Sequence, residues 1–286
     1  MCSSDLGTPS GPGRQKALHS ASVSDTAGAF LFGAGAGLIA SAVAALVWAR
    51  ARRHPRAGPG EDAGRRADLT SKIGHELKNP IMSVKGLASS GIRLYQAMSD
   101  DERLEFFRLI DVEANRLTLI ADEISTALRI DAGQFSYQVQ DEDLGALVQE
   151  IAWRTPSGQH AMVVEVEDGL TAPLDRTRMS EVIVHLLDNA SKFSPPDAPI
   201  EVRAYRSPDG DAVVEVADRG PGIPAELREN VFGEFNEWRP PGYEETPGAG
   251  LGLFICRAHL KAMAGRIDIE DERGTGTMLR VTLPGG

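Results

Sequence analysis

Three hydrophobic patterns follow one another along the chain. The first runs from Ala27 to Ala49, where every position is apolar or small and none is charged; its 23 residues would make a helix of roughly 35 Å, long enough to cross a bilayer. In the second, Leu69, Ile73, Leu77, Ile81, Val84, Leu87 and Leu94 recur mostly at steps of three or four, and so do Leu104, Phe107, Ile110, Ala114, Leu117, Ala121, Ile124 and Leu128. Each set falls along one face of a helix. Between them Ser99-Asp100-Asp101-Glu102 matches a capping box, so the pattern predicts a hairpin of two long helices. A single hairpin leaves much of its apolar stripe in water, and pairing two copies into a four-helix bundle is the simplest remedy. After Gln134 the period becomes mixed. Short β-rich runs such as 162–166, 200–205 and 212–216 alternate with helical stretches near 142–153, 176–192 and 251–264, which predicts an α+β layer of sheet against helices.

These patterns divide the chain into a flexible tail over 1–26, a transmembrane helix over 27–49, a linker over 50–66, a helical domain over 67–132 and an α+β domain over 133–286. The tail contains Ser, Gly and Pro with little apolar periodicity. Arg50, Arg52, Arg53 and Arg56 follow the apolar run, whereas Arg14 and Lys16 before it are balanced by Asp5 and Asp25. By the positive-inside rule the C-terminal side faces the cytoplasm. A cleaved signal peptide is the competing reading, because Ala42-Val43-Ala44 resembles a cleavage site. The formal charge of −11 argues against a nucleic-acid partner, since phosphate backbones are held by clustered Lys and Arg. Only Cys2 and Cys256 are present, so no disulfide framework or CxxC metal motif can be drawn.

His75 lies two residues after Ile73 and two before Leu77, off the apolar stripe and therefore in solvent. An exposed helical His is most often only a surface residue, but here it opens the block His75-Glu76-Leu77-Lys78-Asn79-Pro80. A neutral imidazole is a good nucleophile, and an adjacent carboxylate can take up its proton. Asn79 stands where the second His of a zinc-binding HExxH would be, which removes that reading. Four further blocks follow: His185-Leu186-Leu187-Asp188-Asn189-Ala190-Ser191-Lys192-Phe193, then Asp218-Arg219-Gly220-Pro221-Gly222-Ile223, then Gly248-Ala249-Gly250-Leu251-Gly252-Leu253, and Gly274-Thr275-Gly276-Thr277. Each alone would be weak, and no GxxxxGK[ST] phosphate loop occurs. In this order and spacing they resemble the H, N, G1, G2 and G3 boxes of the sensor histidine kinases of two-component signalling, with Phe232-Gly233-Glu234-Phe235 as the F box. The resemblance covers roughly residues 65–286.

That resemblance implies a dimeric four-helix bundle for phosphotransfer, followed by an α/β-sandwich ATP-binding domain of the Bergerat type shared with Hsp90, MutL and gyrase. His75 would be the phosphoryl acceptor, Glu76 its base, and Asn79 would position a water for removing phosphate from a partner. Asn189 would hold Mg²⁺, Lys192 the phosphates, and Asp218 the adenine amino group. Gly220 and Gly222 would admit the base, Gly248, Gly250 and Gly252 would wrap the phosphates, and Gly274 and Gly276, with Thr277, would turn beneath the nucleotide. The segment Asn236 to Thr246 would be a lid over ATP. The chain departs from the family at His185, where Asn is usual; its ring could still ligand Mg²⁺, although that ion prefers oxygen. The expected activity is a membrane-anchored homodimeric histidine kinase that uses Mg-ATP and passes phosphate to a response regulator receiver domain. A non-catalytic docking dimer, or a serine-directed kinase or ATPase on the same nucleotide fold, remain as alternatives.

Overall fold

The computed structural model describes residues 61–286 apart from 156–159, 237, 247, 271–275 and 286. The tail, the proposed membrane span at 27–49 and most of the linker lie outside the described residues, as does Gly274. Among the described residues no helix is long and apolar enough to cross a membrane.

Helix α1 (Glu61–Leu94) and helix α2 (Asp100–Asp131) form the hairpin. α1 begins inside the stretch read as linker. Pro80 does not end it: the helix continues for 14 further residues, and only the N–H that would bond the Glu76 carbonyl is missing. The predicted capping box is formed. Ser99 Oγ accepts from the Glu102 N–H at 3.3 Å, and the Ser99 N–H donates to Glu102 Oε2 at 2.7 Å. The two helices approach closely at Gly91, where an added Cβ would lie 3.4 Å from the Phe106 ring.

The remainder comprises, in chain order, β1 (Gln140–Asp143), α3 (Leu144–Arg154), β2 (Met162–Val166), β3 (Thr171–Leu174), α4 (Arg176–Phe193), β4 (Ile200–Arg206), β5 (Ala212–Ala217), α5 (Gly252–Ala262), β6 (Arg266–Glu270) and β7 (Met278–Leu283). Five strands make one mixed sheet in the order β2-β4-β5-β7-β6, with β2 parallel to β4 and the other pairs antiparallel. β1 and β3 form a separate antiparallel pair. Alternation sorts the sheet faces. Ile200, Val202 and Ala204 of β4 enter the core with Val214, Val216, Val281 and Leu283, against Leu147 and Val148 of α3, Ile183, Leu186 and Leu187 of α4, and Leu260 of α5. On the other face Arg203, Glu215, Arg280 and Asp268 stand in register across four strands. Glu215 is buried there and is neutralised by Arg280 at 2.7 Å and the Tyr205 hydroxyl at 2.8 Å.

Candidate active site

The hairpin presents one expected group and withholds its neighbours. His75 and Asn79 are exposed on α1, one turn apart, while Ile73 before them and Leu77 between them are 4% and 9% exposed. Glu76 is half-buried beside His75. The 3.6-residue period therefore sets His75 in water and its apolar neighbours against the rest of the protein.

The second group lies around an open cleft. Helix α4 supplies one wall. Its buried side carries Met179, Val182, Ile183, Leu186, Leu187 and Ala190, which leaves His185, Asp188, Asn189 and Lys192, spaced by three and four, to line the cleft. Asp175 caps this helix by accepting the Arg178 N–H at 3.1 Å.

Asp218 follows the last residue of β5 and forms part of the lining, only 9% exposed. Its Oδ1 accepts the Gly220 N–H at 2.7 Å and the Thr277 N–H at 3.0 Å. Burial raises its carboxyl pKa, and the hydrogen bonds from Gly220 and Thr277 oppose that shift. The turn at Gly276 needs glycine: its φ is +94°, and a Cβ there would sit 2.0 Å from the Asp218 carbonyl oxygen. Gly222, Ile223, Val231, Leu253, Thr277 and Leu279 complete this end, which offers a carboxylate acceptor beside apolar surface, as a flat base with an exocyclic amine requires.

Another part of the lining is cationic. Positions 248–252 wrap the cleft ahead of α5, and Gly250, at φ +66°, lies so near Asn236 that a Cβ would come within 2.1 Å of that carbonyl. At Gly248 an added Cβ would be 3.8 Å from an Arg239 nitrogen and 3.9 Å from Lys192 Nζ. Two cations and the first turn of a helix thus converge on one stretch of backbone, an arrangement suited to phosphate. Lys192 is bonded to Asp188. Among its described residues the segment read as a lid has no helix. Arg239 ties it down by donating to the carbonyls of Asn236, Trp238 and Gly248, and Tyr243 packs on Phe193 with ring centroids 5.9 Å apart.

The cleft therefore gathers Asn189, Lys192, Asp218, Gly222, Gly248, Gly250, Gly252, Thr277 and His185, with Gly220 and Gly276 framing Asp218. His75, Glu76 and Asn79 do not line it. The His185 ring packs over the start of α5, with Nδ1 3.1 Å from where a Gly252 Cβ would be, and burial holds its pKa below the ordinary value. Arg239 and Glu123 are among the lining residues that escape the sequence reading. Arg239 has a local signal, being the only cation between Asn236 and Thr246. Glu123 has none: it is one carboxylate among several on α2, yet it lines the cleft with Oε1 3.8 Å from His185 Nδ1. Burial pushes its pKa up to about 7; Lys192 works against this shift, and Asp188 and Glu76 add to it.

Comparison with known proteins agrees with this geometry. Residues 65–133 match the His Kinase A (phospho-acceptor) domain, and residues 174–286 match the histidine kinase-, DNA gyrase B- and HSP90-like ATPase family. The sensor protein KdpD of Clostridium acetobutylicum is 28% identical over 222 residues, covering 77% of this chain and 25% of that protein. The sensor protein SrrB of Staphylococcus aureus is 28% identical over 224 residues, covering 76% and 38% respectively. The chain thus spans well under half the length of these curated relatives. In fold it is similar to the histidine kinase ThkA solved in complex with the response regulator protein TrrA, at TM-score 0.60 and 23% identity over 79% of this chain and 64% of that one. It is also similar to the Acinetobacter baumannii histidine kinase AdeS, at TM-score 0.57 and 20% identity over 73% and 96%. A phospho-acceptor hairpin followed by an ATPase-type sandwich, matched domain by domain and in this order, makes the chain a member of the two-component sensor histidine kinases.

Proposed function

We propose that this chain is an ATP-dependent protein histidine kinase that phosphorylates its own His75 and passes the phosphoryl group to an aspartate of a response regulator receiver domain. One observation carries the reading: a solvent-facing His75 with Glu76 half-buried beside it, on a phospho-acceptor helix, shares a chain with a cleft lined by a buried carboxylate and by two cations that meet at Gly248. Asp218 receives the adenine amino group, with Ile223 and Leu279 against the ring. Lys192 and Arg239 neutralise the phosphates, where phosphoryl transfer needs charge stabilisation more than covalent help. A nitrogen of His75 attacks the γ-phosphorus as the bond to the β-phosphate oxygen breaks, ADP leaves, and Glu76 accepts the imidazole proton. Mg²⁺ supplies further charge neutralisation when bound. Asn189 offers it an oxygen and His185 a ring nitrogen on the same wall, and few protein ligands suffice because this ion commonly keeps waters and substrate phosphates. Asn79 is placed to order water for dephosphorylating the regulator.

The assembly we propose is a homodimer. Leu104, Phe107, Val112 and Leu119 of α2 and Ile92 of α1 are 50–78% exposed, an apolar load that a second hairpin would cover. Residues 27–49 anchor the chain in the membrane with the kinase domains in the cytoplasm, a placement that rests on the apolar run and the arginines after it.

Incubation with γ-labelled ATP tests the chemistry. The expected product is acid-labile, base-stable label on the chain that disappears in His75→Gln while ATP affinity is retained, and that moves to a receiver domain. Full labelling of His75→Gln would remove the acceptor assignment. Acid-stable label would indicate a hydroxyl target, and absence of ATP binding would favour a docking module.

A further inference from the structure

We propose that Glu123, a side chain of the helical hairpin, gates the nucleotide cleft: seating of the ATP-binding domain on α2 and entry of nucleotide phosphates oppose one another. The inference rests on the reading of the cleft as an ATP site. The hairpin and the sandwich lie within one unit, Asp62–Gly286, and α2 packs against α5. Ile120, Ile124, Ala127 and Leu128 are 3%, 2%, 6% and 7% exposed, so the lower half of α2 has a buried stripe that its upper half lacks. Glu123 follows Ile120 by three positions and precedes Ala127 by four, at the border of that stripe.

This seating carries the Glu123 carboxylate into the wall formed by His185, Asp188, Asn189 and Lys192. The groups facing it are the His185 imidazole at 3.8 Å, the Lys192 ammonium, and two further carboxylates, Asp188 from α4 and Glu76 from α1. Lys192 is the natural counter-ion for an incoming phosphate, yet it is held by Asp188. A triphosphate placed against Gly248 would meet Lys192 and Arg239, but it would also bring several negative charges toward Glu123, Asp188 and Glu76, which already gather around Lys192. Two responses relieve the conflict. The nucleotide binds less tightly than the cleft alone would allow, or α2 and its carboxylate move away. Linkage makes these one coupling seen from two sides: whatever docking subtracts from ATP affinity, bound ATP subtracts from docking. Release of α2 is also what lets a cleft approach His75, which does not line it in the seated arrangement. The unusual His185 then acquires a role particular to this chain, as the group that Glu123 meets.

The test uses the full chain and a non-hydrolysable ATP analogue with Mg²⁺. Titration calorimetry on the wild type and on Glu123→Gln, which keeps the side-chain size and removes the charge, should show about 5- to 10-fold tighter binding in the variant, within the usual range of coupling between sites. Hydrogen exchange of residues 120–128 in the wild type should quicken on saturation with the analogue. Equal affinities, or weaker binding by a Glu123→Gln protein whose melting temperature is unchanged, would overturn the gate, and so would slower exchange at 120–128. Absence of analogue binding in either protein would instead strike down the ATP site itself, and the gate with it.

Discussion

Asp218 shows how a single side chain is held between stability and binding. It is buried beside apolar wall residues, and two backbone N–H groups converge on one of its oxygens. Because its folded pKa is raised above the unfolded value, its favourable contribution to folding is present in acid and is lost as pH rises through the folded pKa. Its ionised form is therefore held at some cost to the fold, as a ligand-binding role would require. Asp218→Asn keeps an oxygen for the Gly220 and Thr277 donors but removes the charge. It should melt at the same or a higher temperature than wild type at pH 7 to 8, with the difference shrinking toward pH 4, while ATP affinity falls by at least about tenfold for loss of a charged acceptor. Thermal melts across that pH range, set beside nucleotide titrations, decide it; a variant that binds ATP normally would mean Asp218 is structural.

At the scale of elements, the predicted boundaries hold where a local signal specifies them and drift where one does not. Ser99 and Glu102 begin α2 as their spacing indicates, and Ser99→Ala should cost about 1 kcal/mol, lowering the melting temperature by roughly 2–4 °C for a domain of this size. An unchanged melting temperature would show that the hairpin turn is held by other contacts, such as Arg103 bonding to the Tyr95 carbonyl at 2.9 Å. The end of α5 was harder to read. The helix stops at Ala262, and the chain reverses through Ala264 at φ +58°, with the Gly265 N–H bonding the Leu260 carbonyl in a Schellman turn. Alanine carries no sequence signature of that conformation, so the apolar pattern runs on to 264. β1 is four polar residues and β3 contains Pro173. β1 shows no apolar alternation, and β3 turns only Ala172 and Leu174 inward, so the pair, set outside the main sheet, carries little signal in the sequence.

At the scale of the whole molecule, the exposed apolar face of the hairpin sets an expectation for assembly. Phe107 is 64% exposed on α2, so Phe107→Glu places a charge where a second copy would pack, without disturbing a buried contact of the single chain. Sedimentation should find wild type dimeric and Phe107→Glu monomeric at micromolar concentrations, with the far-UV helical signal intact. A dimer that survives the charge would move the interface away from this part of α2.

The hairpin, the β and helical runs, and nearly every residue of the cleft were legible in the sequence because they are local. A heptad-like stripe, a capping box, or glycines forced by a positive φ or by backbone crowding each write their requirement into a few adjacent positions, as at Gly250 and Gly276. Asp188, Asn189 and Lys192 share a wall simply because helical spacing puts them there. Only the tertiary structure could bring Glu123 to His185 across 62 positions of sequence, or set Arg239 and Lys192 on either side of Gly248. Those meetings depend on how α2 packs on α5 and how the loop from Asn236 folds over α4. The packing forces responsible are non-directional burial and long-range charge, which leave no spacing rule in the chain.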